Sequence, residues 1–125
     1  MIFVKFVLSI NHEYYSYQDA SSIEMCILGG FLTSDVGFHP SFFKKYACND
    51  QQQYTSANAT ALEKQNGYIL LSDQYPEEGY ETQLKMTYNQ FIKLLDDWEE
   101  KVIKLEPKEV TITYENNEFV IETKD

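Results

Sequence analysis

TYNQFIKLLDDWEEKVIKLEP, residues 87–107, decides the fold. Tyr88, Phe91, Leu95, Trp98, Val102 and Leu105 recur at alternating spacings of three and four, and Ile92 and Leu94 widen that stripe to the breadth of a core-facing helix. Thr87 and Gln90 have the spacing of a capping box, and Pro107 stops the chain soon after Leu105. The pattern predicts one long amphipathic helix over 88–105 with Trp98 in the core. So wide an apolar face needs a surface to cover it, and the flanking segments read as the strands of that surface.

Residues 2–8, IFVKFVL, mix β-branched and aromatic residues with Lys5 on one parity, as expected of a strand with one buried face. GYILLSD, 67–73, and ETQLKMTY, 81–88, read as partners in a hairpin joined by QYPEEGY, where Pro76 and Gly79 suit a turn. At the end of the chain, Val110, Ile112 and Tyr114 alternate with threonines, Asn116-Asn117 suits a tight turn, and Phe119 and Ile121 resume the alternation as a terminal hairpin. SIEMCILGGFLT, 22–33, fits either strands broken at Gly29-Gly30 or a helix capped there, and the apolar run favours strands. Residues 34–66 mix turn formers, aromatics and a polar tract, which predicts a long surface excursion with one short helix near 56–65 capped by Ser56. The expected fold is therefore α+β. It is a single domain over 1–125, a mostly antiparallel sheet packed against the 88–105 helix and closed by a C-terminal β-hairpin.

A chain of 125 residues is long enough to bury a core without disulfides or metal, and 43% hydrophobic content with eight Phe, ten Tyr and one Trp is too apolar for disorder. The opening MIFVKFVLSI is short, carries Lys5 and lacks a following small-residue cleavage site, so it reads as a strand and not as a leader. Nothing approaches the roughly 18–20 apolar residues of a membrane span. The expectation is a soluble, cytoplasmic protein. Cys26 and Cys48 have neither Cys-x-x-Cys spacing nor a histidine beside them, which points to reduced structural thiols with no metal and no cofactor.

Twenty acids face ten bases, all of them lysine, for a net charge of −10. Such a surface repels phosphate, so nucleic acid and anionic membrane are excluded as natural partners and a basic protein is expected. Residues 73–100 hold eight acids against two lysines, and two clusters account for them. In DDWEE, 96–100, Asp97 to Lys101 and Glu100 to Lys104 stand at helical spacing, so much of that charge reads as a solvated helix face. In DQYPEEGYE, 73–81, four carboxylates surround two tyrosines with no lysine nearer than Lys64 and Lys85.

Two readings of that second segment stand open: a solubilising turn, or a contact surface in which tyrosines supply stiff area and carboxylates steer a cationic partner. The candidate partner-binding residues are Asp73, Tyr75, Glu77, Glu78, Tyr80 and Glu81, joined by Asp97 and Glu100. Catalysis has little to stand on. His12 and His39 lack partners at metal-ligand or nucleophile spacing, adjacent exposed acids such as Glu77-Glu78 do not separate their pKa values, and no hydrolase or phosphate-loop motif occurs. No enzyme activity and no small-molecule substrate are expected.

The last forty residues, from MTYNQF to IETKD, combine an FxxLLxxW helix, a Lys/Pro break and a terminal hairpin in an acidic chain. In this they resemble the small acidic immunity proteins encoded beside bacterial polymorphic and contact-dependent growth inhibition toxins. That resemblance implies a cytosolic, non-enzymatic inhibitor that binds a cognate basic toxin domain. A nuclease is the toxin class that acids interleaved with aromatics fit best, since they imitate phosphates and bases. An acidic interaction module or adaptor unrelated to toxins is the alternative, and a small enzyme with its site in 34–66 stands behind both.

Overall fold

The computed structural model describes residues 1–79 and 81–125. Along the chain run β1 (Phe3–Leu8), β2 (Tyr15–Ala20), α1 (Ile23–Gly30), α2 (Ser41–Cys48), β3 (Tyr54–Ser56), β4 (Thr60–Gln65), β5 (Tyr68–Asp73), β6 (Leu84–Thr87), α3 (Tyr88–Trp98), β7 (Glu109–Glu115) and β8 (Glu118–Lys124). The fold is α+β, and its strand pairing is antiparallel throughout the described residues. The strands divide into two four-stranded sheets, ordered β2-β1-β7-β8 and β3-β4-β5-β6, where one sheet was expected. Helix α1 packs on β1, β2, β5 and β6, and α3 packs on β5, β6 and β8, so each helix touches both sheets and the core is shared.

The capping box forms as expected. The Gln90 N–H donates to Thr87 Oγ1 at 3.0 Å, and the Thr87 N–H donates to Gln90 Oε1 at 2.8 Å. Phe91, Leu94, Leu95 and Trp98 are buried, and the helix then loosens into a π-helical turn, Glu99–Ile103. That turn carries Val102 into the core, but Leu105 ends up 70% exposed, outside the stripe in which its spacing placed it. The terminal hairpin turns on Asn116 and Asn117 at φ 53° and 62°, the left-handed pair that a two-residue hairpin loop demands.

Two further expectations are overturned. Residues 23–30 are helical, not strands. Ser22 caps them by accepting the Met25 N–H at 3.2 Å, and a π-helical turn, Phe31–Val36, continues them. Met25, Ile27, Leu28 and Gly29 are buried against both sheets, and apart from Glu24 the more open positions, Ile23, Cys26 and Gly30, are not polar either, so no polar face betrays the helical period. Gly29 does not break the helix; a Cβ there would lie 2.7 Å from Tyr17 Cγ, so glycine lets α1 approach β2.

The 34–66 excursion holds more regular structure than expected, and its helix lies at 41–48 while the 56–65 region forms strands. Asn66-Gly67, at φ 53° and 84°, turns β4 back onto β5 and pairs Gln65 with Tyr68. Thr60, Leu62 and Lys64 face inward. Lys64 is 7% exposed, and its ammonium donates to the carbonyls of Tyr46 at 2.7 Å and Asn49 at 2.6 Å while lying 4.4 Å from the Tyr46 ring centroid. The C-terminal end of α2, where unpaired carbonyls concentrate negative charge, is thereby fastened to β4.

Trp98 closes the centre. Its indole N–H donates to Gly37 O at 3.0 Å, and its rings meet Phe6 at 5.2 Å and Tyr15 at 5.8 Å, both edge to face. Phe31 meets Phe43 at 4.8 Å and Phe91 at 5.9 Å. No helix among the described residues is long and apolar enough to cross a membrane.

Replacing Gly29 by Ala is expected to lower stability by about 1–3 kcal/mol through the clash with Tyr17. Adding Tyr17→Ser to that variant should recover part of the loss. Urea unfolding of the single and double variants measures both effects.

Burial pushes the hydroxyls of Tyr15 and Tyr46 up to about 12, with smaller contributions from Glu106 and Asp125 at Tyr15 and from Tyr88 and Glu63 at Tyr46. Unfolded tyrosine ionises near 10, so between about pH 10 and 12 the folded chain holds protons that the unfolded chain releases. Stability contributed by these groups is therefore complete below pH 10 and is lost as pH rises through that window. Thermal melts from pH 9 to 12 should show the decline, flatter in a Tyr15→Phe, Tyr46→Phe variant.

Candidate functional site

The acidic loop leaves β5 at Asp73 and re-enters the sheet at Leu84. Its first turn is built by its own residues, since Asp73 Oδ1 accepts the Tyr75 N–H at 2.8 Å. Gln74 fastens it to the β3–β4 turn: the backbone N–H donates to Ala59 O at 2.9 Å, and the side-chain amide donates to Ala57 O. Gly79 takes φ 88°, which glycine adopts without strain, and its N–H donates to Glu81 Oε2 at 3.1 Å. On the return path the Thr82 hydroxyl donates to Glu24 Oε1 of α1 at 3.4 Å. The loop is thus anchored at both ends while its middle faces solvent.

Asp73, Tyr75, Glu77, Glu78 and Glu81 are all exposed, Tyr75 to 78%. Tyr80, which belongs to the same candidate set, lies outside the described residues. Among the described residues none of the four carboxylates forms a salt bridge. Asp73 and Pro76 line a depression on each side of the loop. Glu77 faces the larger one with Tyr17, and Glu81 borders the smaller one with Thr82 and Gln83. Burial, then the Cys26 thiol and the Asp73 carboxylate, push the Tyr17 hydroxyl above its ordinary value.

The second acidic cluster is placed differently. Lys44 of α2 reaches both Asp96 and Glu99 at 2.7 Å, and these hydrogen bonds hold its ammonium above the usual lysine range, Asp96 contributing most. Asp97 pairs with Lys93 at 2.7 Å and not with Lys101, the partner its spacing favoured. Lys93, one helical turn before Asp97 on α3, takes the carboxylate that the spacing had assigned to Lys101. Glu100 pairs with Lys104 at 2.7 Å, as expected. Asp97 and Glu100 therefore sit on α3 and its π-helical extension with their charges answered, while the 73–81 carboxylates sit on the loop with theirs open.

Lys44 is the residue that sequence reading missed. It lies 52 positions from Asp96 and 55 from Glu99, beyond any local pattern. His12 falls 4.0 Å from Glu106, and His39 precedes the start of α2. Both cysteines are free thiols, and the described residues hold no group of three or more metal-ligating side chains. No protein-family model, curated protein or solved structure matches this chain.

The two clusters should respond differently to neutralisation. Changing Glu77, Glu78 and Glu81 together to Gln is expected to move stability by no more than about 0.5 kcal/mol. Lys44→Met should lower it by up to about 1 kcal/mol, because it strands two carboxylates and unfastens α2 from α3. Denaturant midpoints at low and high salt provide the comparison, and salt should shrink the Lys44 effect.

Proposed function

We propose that the chain is an immunity protein that binds and neutralises a basic toxin domain, a nuclease being the best fit, through the acidic-aromatic loop at 73–81. One observation carries the reading. Every acid of the 96–100 cluster has a lysine within hydrogen-bonding reach, whereas among the described residues Asp73, Glu77, Glu78 and Glu81 have none and stand beside an exposed Tyr75. Unanswered charge on an anchored loop raises the local concentration of cations and speeds encounter with a basic surface. Tyrosine then offers a large contact area with few rotors to immobilise. A net charge of −10 without a single arginine acts in the same direction over the whole surface. The Asp97 and Glu100 pairs make the α3 face a secondary contact, since a partner there must first displace Lys93 and Lys104.

The test is co-purification with the product of the adjacent gene, followed by a nuclease assay of that product with and without this protein. A stable complex and suppressed cleavage are expected, and absence of any complex overturns the reading. Reversing Glu77, Glu78 and Glu81 to Lys should slow association by about tenfold or more at low salt and flatten its salt dependence, with the fold intact. Stopped-flow association at several ionic strengths measures this, and unchanged kinetics would move the contact elsewhere. A complex that forms without suppressing cleavage would instead favour an acidic interaction module.

A further inference from the structure

Beside the acidic loop lies a groove of about 560 Å³ whose floor is the outer face of α1, formed by Ile23, Cys26, Ile27 and Gly30. One wall is the loop, through Asp73 and Glu77, and the other includes Tyr17 of β2 and Thr60 of β4. Its chemistry is one-sided. The floor is apolar, the carboxylate residues Asp73 and Glu77 and the hydroxyl residues Tyr17, Ser34 and Thr60 complete the lining, and among the described residues no lysine or histidine lines it. A further carboxylate touches one lining residue: Asp35 Oδ1 accepts the N–H of Ala59 at 2.9 Å, and Asp35 Oδ2 is buried with no hydrogen-bond partner among the described residues. An anionic or purely apolar occupant would leave these acceptors desolvated and unmatched.

We infer that this groove is the socket for an arginine or lysine side chain of the basic partner. The aliphatic stem would lie along Ile23 and Ile27, and the cationic head would meet Asp73 and Glu77. Long basic side chains divide in this way, burying the stem and keeping the charge among acceptors. A guanidinium, planar and with several donors, matches paired carboxylates best. The inference rests on reading the loop as a contact surface for a basic protein, and it names the chemistry recognised there. It adds that the loop acts as one wall of a recess, with α1 as the specificity-bearing floor.

Gly30 makes this testable without altering charge. It has helical backbone angles, φ −62° and ψ −41°, and a Cβ added to it would meet nothing within 4 Å. Gly30→Phe should therefore fill the groove while α1 stays intact. Isotope-labelled protein would be titrated with hexa-arginine, and with hexa-glutamate as control, following backbone amide signals. Hexa-arginine is expected to shift Gly30, Ala59, Thr60 and Asp73 together, and Gly30→Phe should weaken that response at least tenfold. Glu78→Gln, a change outside the groove lining, should weaken it less than Glu77→Gln. If Gly30→Phe disturbs folding, iodoacetamide modification of Cys26 in a Cys48→Ser background places neutral bulk on the same floor and should have the same effect.

Shifts confined to 77–81 with Gly30 and Thr60 unmoved would overturn the socket, as would undiminished binding to a folded Gly30→Phe variant. The toxin experiment fails separately. A groove that takes the cationic peptide while the adjacent gene product forms no complex sinks the immunity reading and keeps the socket. A complex unaffected by Gly30→Phe but weakened by reversing Glu77, Glu78 and Glu81 keeps that reading and sinks the socket.

Discussion

The indole of Trp98 is the constraint on which the rest of the molecule depends. Fully buried, it must satisfy its N–H, and the acceptor it finds is the carbonyl of Gly37, where the chain leaves the π-helical turn after α1 at φ 53°. The same ring packs against Phe6 of β1 and Tyr15 of β2. One side chain thus fixes α3 against the first sheet and against the exit of α1, while Phe91, a neighbour on the same helix face, joins Phe31 and Phe43. Lys64 supplies the tie on the far side of α2, where its ammonium takes up the helix's last carbonyls. With α1 and α2 held from both sides, the position of the groove floor follows from core packing.

How far this was legible in the sequence depends on where each element's information lies. Helix α3 and the terminal hairpin were readable because each is half solvated, so apolar and polar residues alternate at the period of the element. Strand β6 was readable for the same reason, though it starts at Leu84 and not at Glu81, whereas β5 was readable as a short apolar run, Ile69 to Leu71, between Gly67 and the acidic loop. Helix α1 was not, because its outward positions Ile23, Cys26 and Gly30 are as little polar as its buried ones, which leaves an apolar run that suits strand and helix equally. Strands β3 and β4 were hidden by a polar composition and by Lys64, a charged residue at an inward position. The signal that would have revealed β4 is Asn66-Gly67, a short hairpin turn ahead of a strand already recognised.

The site divides along the same line. The charge imbalance of 73–81 is a local property and was visible in the chain itself. Its contrast with 96–100 was only partly visible, because two of the answering contacts come from Lys44, far away in sequence. The groove was not visible at all. It is assembled from β2, α1, the start of β4 and the loop, and each contributes residues that look ordinary alone.

Among its described positions the loop from Gln74 to Gln83 has no fully buried side chain, whereas the α1 floor shares Ile27 with the core, and Gly29 between Ile27 and Gly30 packs on Tyr17. Rim and floor therefore answer to different selection. Substitutions at the exposed positions Tyr75, Glu77 and Glu78 are expected to cost the fold little, so this part of the rim is free to vary. The floor is held still by the requirements of the core. Two descendants of this chain are expected to diverge first in 74–83, and the recess beneath would persist as their common inheritance.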